Sequence, residues 1–361
     1  VRVDRLSLQA PGLQAEGWVT TKESGGLQQA HLSAVTVGNW MRGTVNFIGL
    51  RNGLAEIQVT SGTLDLQKAP FSGESGSSTG NGSGGSAPSG PITMQLERLR
   101  VTESIALTGF EGRFSTQGGL NGQFTGNLNG ATPVSGVVVP KPGGIATRIR
   151  ADDAGGVFKA AGILRHGEGG SFDMTLIPAK EPGEYDGEIQ IKNTRIKNAP
   201  SMAALLNAIS VIGLVDELSG GGILFTGVEA KFRLGSTHLT LHESSAVGPS
   251  MGLSMDGIYE LDSGTLNMRG VISPIYIINA IGRVVSRKGE GLFGFAFKLR
   301  GSADDPKVSV NPLSALAPGM FREIFRAPPP DLPAVEGVTG STLPKPEPQP
   351  ERPVERRYEG R

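Results

Sequence analysis

The sequence predicts a mainly β protein: one extended, mostly antiparallel sheet with a few helices at one end. Three observations predict it. Apolar and polar residues alternate in short runs along most of the chain, the pattern of strands with one buried face. Glycine is abundant, 54 of 361 residues, and turn signals separate the runs. Aromatic residues make up only 6% of the chain, which suits many strands and turns better than one compact aromatic core.

Residues 1–71 read as a β meander. Leu6 and Leu8, Ile57 and Val59, and Leu64 and Leu66 alternate, with turns expected at Pro11-Gly12, Gly25-Gly26, Arg51-Asn52-Gly53 and Ser61-Gly62. Residues 72–91 hold no large apolar side chain and read as a flexible Gly/Ser-rich loop. Strand patterns resume on both sides, so the loop is expected to lie inside one domain. Between Gly118 and Gly130, Leu120, Phe124 and Leu128 share one parity with glycines, opposite an amide-rich face. This stretch is either one strand of roughly 40 Å or two shorter ones joined at Gly122 or Gly126. Further strands are expected around 134–139, 147–151, 157–164, 172–177 and 185–192. Pro200 opens an apolar segment, Met202–Leu218, at helical spacing.

The C-terminal part of the 92–325 region carries the clearest pattern. Val228, Phe232 and Leu234 alternate with Glu229, Lys231 and Arg233, and Leu239 and Leu241 follow across a turn at Gly235-Ser236. Met251, Leu253, Met255, Tyr259 and Leu261 share one parity, as do Leu266, Met268 and Ile272 after Asp262-Ser263-Gly264. Phe293, Phe295, Phe297 and Leu299 repeat it. Ser273-Pro274 and Asn311-Pro312 are helix start signals, placing helices over Ile275–Val285 and Pro312–Phe325. Residues 326–361, rich in proline and mixed charge, read as a disordered tail.

Composition narrows function. The 34 basic and 34 acidic side chains balance, leaving no electrostatic footprint for nucleic acid. There is no cysteine, hence no disulfide and no thiolate metal site. Residue 1 is Val, so the chain is expected to be a fragment or a trimmed form. No run of 18 apolar residues would span a bilayer.

Chemistry-bearing motifs are outweighed by plainer readings. Gly248-Pro249-Ser250-Met251-Gly252 fits the G-x-S-x-G nucleophile elbow, but that elbow needs a helix after it, and an alternating strand follows. A hydrolase at Ser250 is therefore the least favoured reading, and a hairpin turn the preferred one. Gly289–Gly294 fits G-x-G-x-x-G but is likewise followed by a strand pattern. His238 and His242 have metal-ligand spacing for a helix, yet lie on a strand, where a solvent-facing pair is expected. Asp152-Asp153 reads as a turn. No catalytic residue, metal ligand or cofactor is expected.

The order of parts from Gly248 to Phe325 resembles the AsmA-like family. A hairpin (GIYELDSGTLNMRGVISP) leads to an apolar helix (IYIINAIGRVV), then a strand (FGFAFKLRGS), then a DDPKVSVNPLSALAPG close. The resemblance extends over about Pro91–Phe325, and more weakly over Val1–Phe71. It implies that the long sheet curves into a groove whose apolar face shields phospholipid acyl chains between inner and outer membranes of the Gram-negative envelope. It also implies a periplasmic location, with an inner-membrane anchor outside this chain and outer-membrane contact through the C-terminal helix. On that reading Val228, Phe232, Leu234, Leu239, Leu241, Leu253, Met255, Leu266, Met268, Ile272, Phe293, Phe295, Phe297 and Leu299 line the groove. Composition alone favours the same faces closing as a sandwich. The alternative function is an assembly factor for outer-membrane biogenesis, pairing a sheet edge with an envelope protein.

Overall fold

The computed structural model describes residues 1–23, 25–50, 54–69, 90–209, 212–274, 294–303 and 305–311. Among them the chain forms nineteen strands and three short helices. The first five strands are β1 (Arg2–Ala10), β2 (Leu13–Thr21), β3 (Leu27–Val37), β4 (Met41–Gly49) and β5 (Ala55–Asp65). Five more follow the Gly/Ser-rich stretch: β6 (Pro91–Arg100), β7 (Ala106–Ser115), β8 (Asn121–Leu128), β9 (Thr132–Lys141) and β10 (Gly144–Ala151). Helix α1 (Ala154–Ala160) and the two-residue β11 (Gly167–Glu168) precede β12 (Ser171–Pro178) and β13 (Tyr185–Ile196). Helices α2 (Pro200–Ala208) and α3 (Ile212–Ser219) lead into β14 (Ile223–Leu234), β15 (His238–Val247), β16 (Gly252–Glu260) and β17 (Thr265–Ser273). The last two are β18 (Phe295–Ser302) and β19 (Lys307–Asn311).

All nineteen strands belong to one long, curved, open sheet. Each strand pairs with the next in sequence, except that β10 pairs directly with β12 while β11 continues the line of β12 along β13. Tight turns explain the meander: Gly12 and Gly264 sit in turns with φ of 76° and 64°, values that a side chain would oppose. All the pairs are antiparallel but one. Strands β5 and β6 run parallel, with Ile57 opposite Ile92 and Asp65 opposite Arg100. A parallel pair needs a crossover that returns the chain to the starting end. The stretch read as a flexible loop is therefore part of an obligatory connection between adjacent strands.

Three expectations are corrected. The turn expected at Ser61-Gly62 lies inside β5, where Gly62 has φ of 135° and the register with β4 shifts between Thr44 and Val45, so the signal marks an irregularity within one strand. The strand expected over 157–164 is instead α1 and the turn after it. The Asp153 carboxylate accepts a hydrogen bond from Gly156 N at 2.9 Å and caps the helix, so Asp153 is an N-cap. A short apolar run does not separate the two periodicities, and the cap decides between them. The stretch 118–130, expected as one long strand or two shorter ones, holds one eight-residue strand starting at Asn121. Gly118 and Gly119 have φ of 73° and 103°, so the backbone is still turning there. The segment Met202–Leu218 forms α2 and α3, with Pro200 in the first turn of α2. The helices expected over Ile275–Val285 and Pro312–Phe325, and the tail 326–361, lie outside the described residues.

The strand directions sort the connections onto two rims. Helices α1, α2 and α3 all leave from the same ends of their strands, which form the helix rim. The opposite ends, at 142–143, 179–184, 235–237 and 261–264, carry only turns and form the turn rim. Apolar packing follows this division. One buried cluster runs along the sheet from Ala15 on β2 to Ile191 on β13. A second sits at the helix rim, where Leu205, Leu206 and Leu218 of α2 and α3 cover Phe225, Ile272 and Phe297. No described helix is long and apolar enough to cross a membrane.

Candidate functional site

The register builds the site. Residues directly opposite each other in neighbouring strands share a face of the sheet. One such row runs Leu32–Val45–Val59–Met94–Gly112–Phe124–Gly136–Ile149 across β3 to β10. It continues through Met174, Ile189 and Ala230 to Ser244 on β15. It resumes on β16 as Met255–Gly270–Phe297–Val310. No charged residue lies in this row. Its one interruption is at β15, where the register with β16 shifts between Leu241 and Ser245.

The residues expected to line the groove fall into rows parallel to this one. Val228 leads through Ala246, Leu253 and Ile272 to Phe295. Phe232 leads through Leu241, Gly257 and Met268 to Leu299. Leu234 leads through Leu239 and Tyr259 to Leu266. Met255 and Phe297 lie in the long row itself. Every one of them that is described therefore shares a single face; Phe293 lies outside the described residues. The rows from Tyr185 to Ile191 span about 20 Å along the strands, at roughly 3.3 Å per residue.

Burial divides this set. Val228, Leu234, Leu239, Leu241, Leu253, Met255, Leu266, Met268, Phe295 and Leu299 are half-buried, so each keeps surface toward the open side of the sheet. Three are covered. Ile272 and Phe297 are 0% and 3% exposed and lie under the α2–α3 cluster. Phe232 is 3% exposed because its ring lies flat across Gly187, its partner on β13; a methyl group at Gly187 would overlap that ring. The same arrangement recurs where the Phe124 ring covers Gly136. Glycine opposite phenylalanine lets the ring fold down onto the neighbouring strand, so the face stays low in relief and free to curve.

Lining residues in the first half of the sheet went unassigned in the sequence reading. Met94, Phe124, Ile149, Met174 and Ile189 are half-buried members of the same row. Their signal was the same alternation, diluted by interleaved glycines. Tyr185 and Tyr259 were also unassigned as lining; they belong to the outermost row, at the turn rim, on the apolar face.

The opposite face is polar and tied by ion pairs across strands. Arg148 donates to both carboxylate oxygens of Asp173 at 2.8 and 2.7 Å, and Arg150 adds a third bond at 3.0 Å. Partial burial pushes the Asp173 carboxyl up, but the hydrogen bonds and charges of Arg148 and Arg150 outweigh it and hold the group below the usual carboxylate range. Arg233 pairs with Asp186, and Arg269 with Asp256 at 3.0 Å.

The G-x-S-x-G stretch is the hairpin turn between β15 and β16. Gly248 N donates to Met251 O at 2.9 Å, and the Ser250 hydroxyl donates to Glu217 of α3 at 2.8 Å. The G-x-G-x-x-G stretch lies outside the described residues apart from Gly294. The two histidines are not a solvent-facing pair. His238 is half-buried, but His242 is only 7% exposed and neither ring nitrogen has a protein partner. Its burial comes from the register shift in β15, which alternation alone did not signal. Among the described residues no group of three or more acidic or histidine side chains is placed to hold a metal ion.

The arrangement is thus a broad apolar surface, half-open, backed by a charged face and walled by helices along one rim. Comparison with models of protein families, with curated proteins and with solved structures finds no match to this chain.

Proposed function

We propose that this chain is a lipid-binding groove of the AsmA-like kind, which shields phospholipid acyl chains as they pass between the inner and outer membranes. The observation that carries the reading is the apolar row that crosses the sheet, most of its larger side chains half-buried and none charged. An apolar surface of that extent costs free energy in water, on the order of 25 cal/mol per Å². Hydrocarbon chains are an occupant that relieves this cost without specific polar contacts. The apolar span of about 20 Å along the strands accommodates the hydrocarbon of one leaflet, about 15 Å thick. The helix rim is covered by the buried apolar cluster of α2 and α3, and the turn rim carries Tyr185 and Tyr259, side chains suited to a boundary between hydrocarbon and water. Headgroups therefore lie at the turn rim and tails point toward the helices. Passage is passive on this reading and uses no nucleotide or catalytic residue. The order of parts after Gly248, which resembles the AsmA-like family, supports the same reading, and with it a periplasmic setting and an anchor supplied from outside this chain.

Charged substitutions test it. Leu266→Glu and Phe295→Asp place a charge on half-buried positions of the apolar face. On the groove reading both proteins fold, because the charge stays hydrated when the groove is empty, and co-purifying phospholipid measured by mass spectrometry falls. Lys231→Glu and Asn267→Asp on the polar face leave lipid content unchanged. If Leu266→Glu, Phe295→Asp and Leu239→Glu all fail to fold while apolar swaps at the same sites are tolerated, the face is a closed core and the reading is wrong.

A second reading, an assembly factor pairing with an outer-membrane protein, is favoured by one observation. Strand β1 forms an edge of the described sheet, and Val3 and Leu8 on it are 44% and 43% exposed. Such an edge is a template for a further strand. A stable complex with a barrel protein, lost on placing proline in β1, distinguishes this reading from lipid carriage.

A further inference from the structure

The apolar row breaks at β15. Leu241 faces Gly257 and Ser245 faces Ser254, so three residues of β15 stand against two of β16. This is a β-bulge. Leu241 points to the apolar side, so His242 turns to the polar side. The Lys231–Glu243 ion pair, at 4.0 Å, places Glu243 on that side as well. Two successive residues on one face crowd the imidazole into the sheet, which is why His242 is 7% exposed while both ring nitrogens lack a protein partner. A buried polar group left unpaired costs on the order of 1–3 kcal/mol.

Each acidic side chain around the bulge already has a hydrogen-bond or ion-pair partner. From β13, Asp186 accepts from Arg233 at 2.9 Å and Glu188 accepts from Gln190 at 3.1 Å. From β14, Arg233 and Lys231 flank the bulge, each already joined to a carboxylate. Across the other ladder Asp256 of β16 accepts three bonds from Arg269 of β17, at 3.0, 3.1 and 3.4 Å. On β15 itself Glu243 is shared with Lys231, and His238 bonds to Thr237 at 3.2 Å.

We propose that His242 and the bulge that holds it form a proton-operated joint, in which protonation of the imidazole opens the β15–β16 ladder where the apolar row is broken. The closed ladder accommodates the neutral ring. An imidazolium there carries two N–H donors into a pocket whose carboxylates are engaged, beside the Arg233 guanidinium. Burial, and then Arg233, push the His242 imidazole below its ordinary value, against the weaker pull of Asp186. The sign follows. The open ladder takes up the proton near the ordinary histidine value and the closed ladder only at lower pH. Stability of the joint is fully present above about pH 6.5 and is lost progressively as pH falls from there toward the lower value of the closed ladder. This inference does not depend on what occupies the groove.

Hydrogen exchange, corrected for intrinsic rates, tests it between pH 7.5 and 5. In the wild-type protein the opening of peptides covering 238–260 rises toward the limiting slope of about tenfold per pH unit below pH 6.5. Peptides covering 106–128 on β7 and β8 are unchanged. His242→Gln, which cannot ionise, removes the pH dependence of 238–260 and leaves the control peptides alone. The same slope in wild type and His242→Gln, or equal opening along the whole sheet, overturns the proposal. Should His242→Gln fail to fold, titration of the His242 ring by NMR in the wild-type protein decides: a midpoint at or above the ordinary histidine value refutes the joint.

Discussion

Deletion of residues 72–90 turns the parallel β5–β6 pair into a measurement of reach. Pro91 stands level with Glu56, nine residues back along β5 from Asp65, because Ile57 faces Ile92 and Asp65 faces Arg100. At roughly 3.3 Å per residue the connection must return about 30 Å. After the deletion only residues 66–71 join the strands, and a fully extended chain of that length reaches about 25 Å. Leu66 N also bonds Arg100 O at 2.9 Å and Ala69 is buried, so part of that length is already committed near Asp65. The pair cannot form in its native register. Val59, Leu96 and Leu99, each under 10% exposed, then lose their cover, at about 1.5–3 kcal/mol apiece. The total, about 5–9 kcal/mol, is comparable to the whole stability of an ordinary domain. Deleting only 72–81 leaves a reach of about 50 Å and should shift stability by less than about 1 kcal/mol, since closure depends weakly on loop length. Thermal unfolding and hydrogen exchange of β5 and β6 read both variants. A 72–90 deletion that melts within a few degrees of wild type, with β5 and β6 still protected, would refute the parallel register.

Two further predictions concern the faces of the sheet. Gly187→Ala should displace the Phe232 ring from its neighbour strand and cost about 1–3 kcal/mol, with Gly187→Ala/Phe232→Leu recovering part of the loss in denaturant unfolding. Asp173→Asn should lower stability by about 1 kcal/mol at neutral pH. Because the Asp173 carboxyl is held low, its contribution is present above the ordinary carboxylate range and lost as pH falls through the folded value, so wild type and variant should converge in acid when melted at a series of pH values.

Much of the fold was legible because period-two alternation is a local signal. Leu266, Met268 and Ile272 announce a strand and its inner face without reference to anything distant. The shared face of the residues named from Val228 to Leu299 was readable for the same reason: tight hairpins carry parity from strand to strand. What could not be read is non-local. The parallel pairing of β5 with β6 leaves no trace in either strand's pattern, since a loop before a hairpin and a crossover have the same composition. The covering of Ile272 and Phe297 depends on where α2 and α3 come to rest, which their own apolar spacing does not specify. His242 was misread because a bulge adds one residue without altering the alternation on either side of it.

The neighbour-only pairing of the strands has a consequence for length. In a globular core, adding an element disturbs packing on all sides. Here each strand is held chiefly by the two beside it, so the sheet behaves as a ladder of repeated rungs with near-additive stability. With β11 in line with β12, the strands make eighteen rungs, which at about 4.8 Å give a path of roughly 80 Å along the sheet. Duplicating one hairpin would lengthen that path by about 10 Å while keeping the cross-section, the inner face and both rims as they are. A single extra antiparallel strand would instead exchange the rims for everything after it. The distance the sheet can bridge is therefore a quantity that gene duplication can set in steps of two strands, independently of the chemistry of the surface it carries.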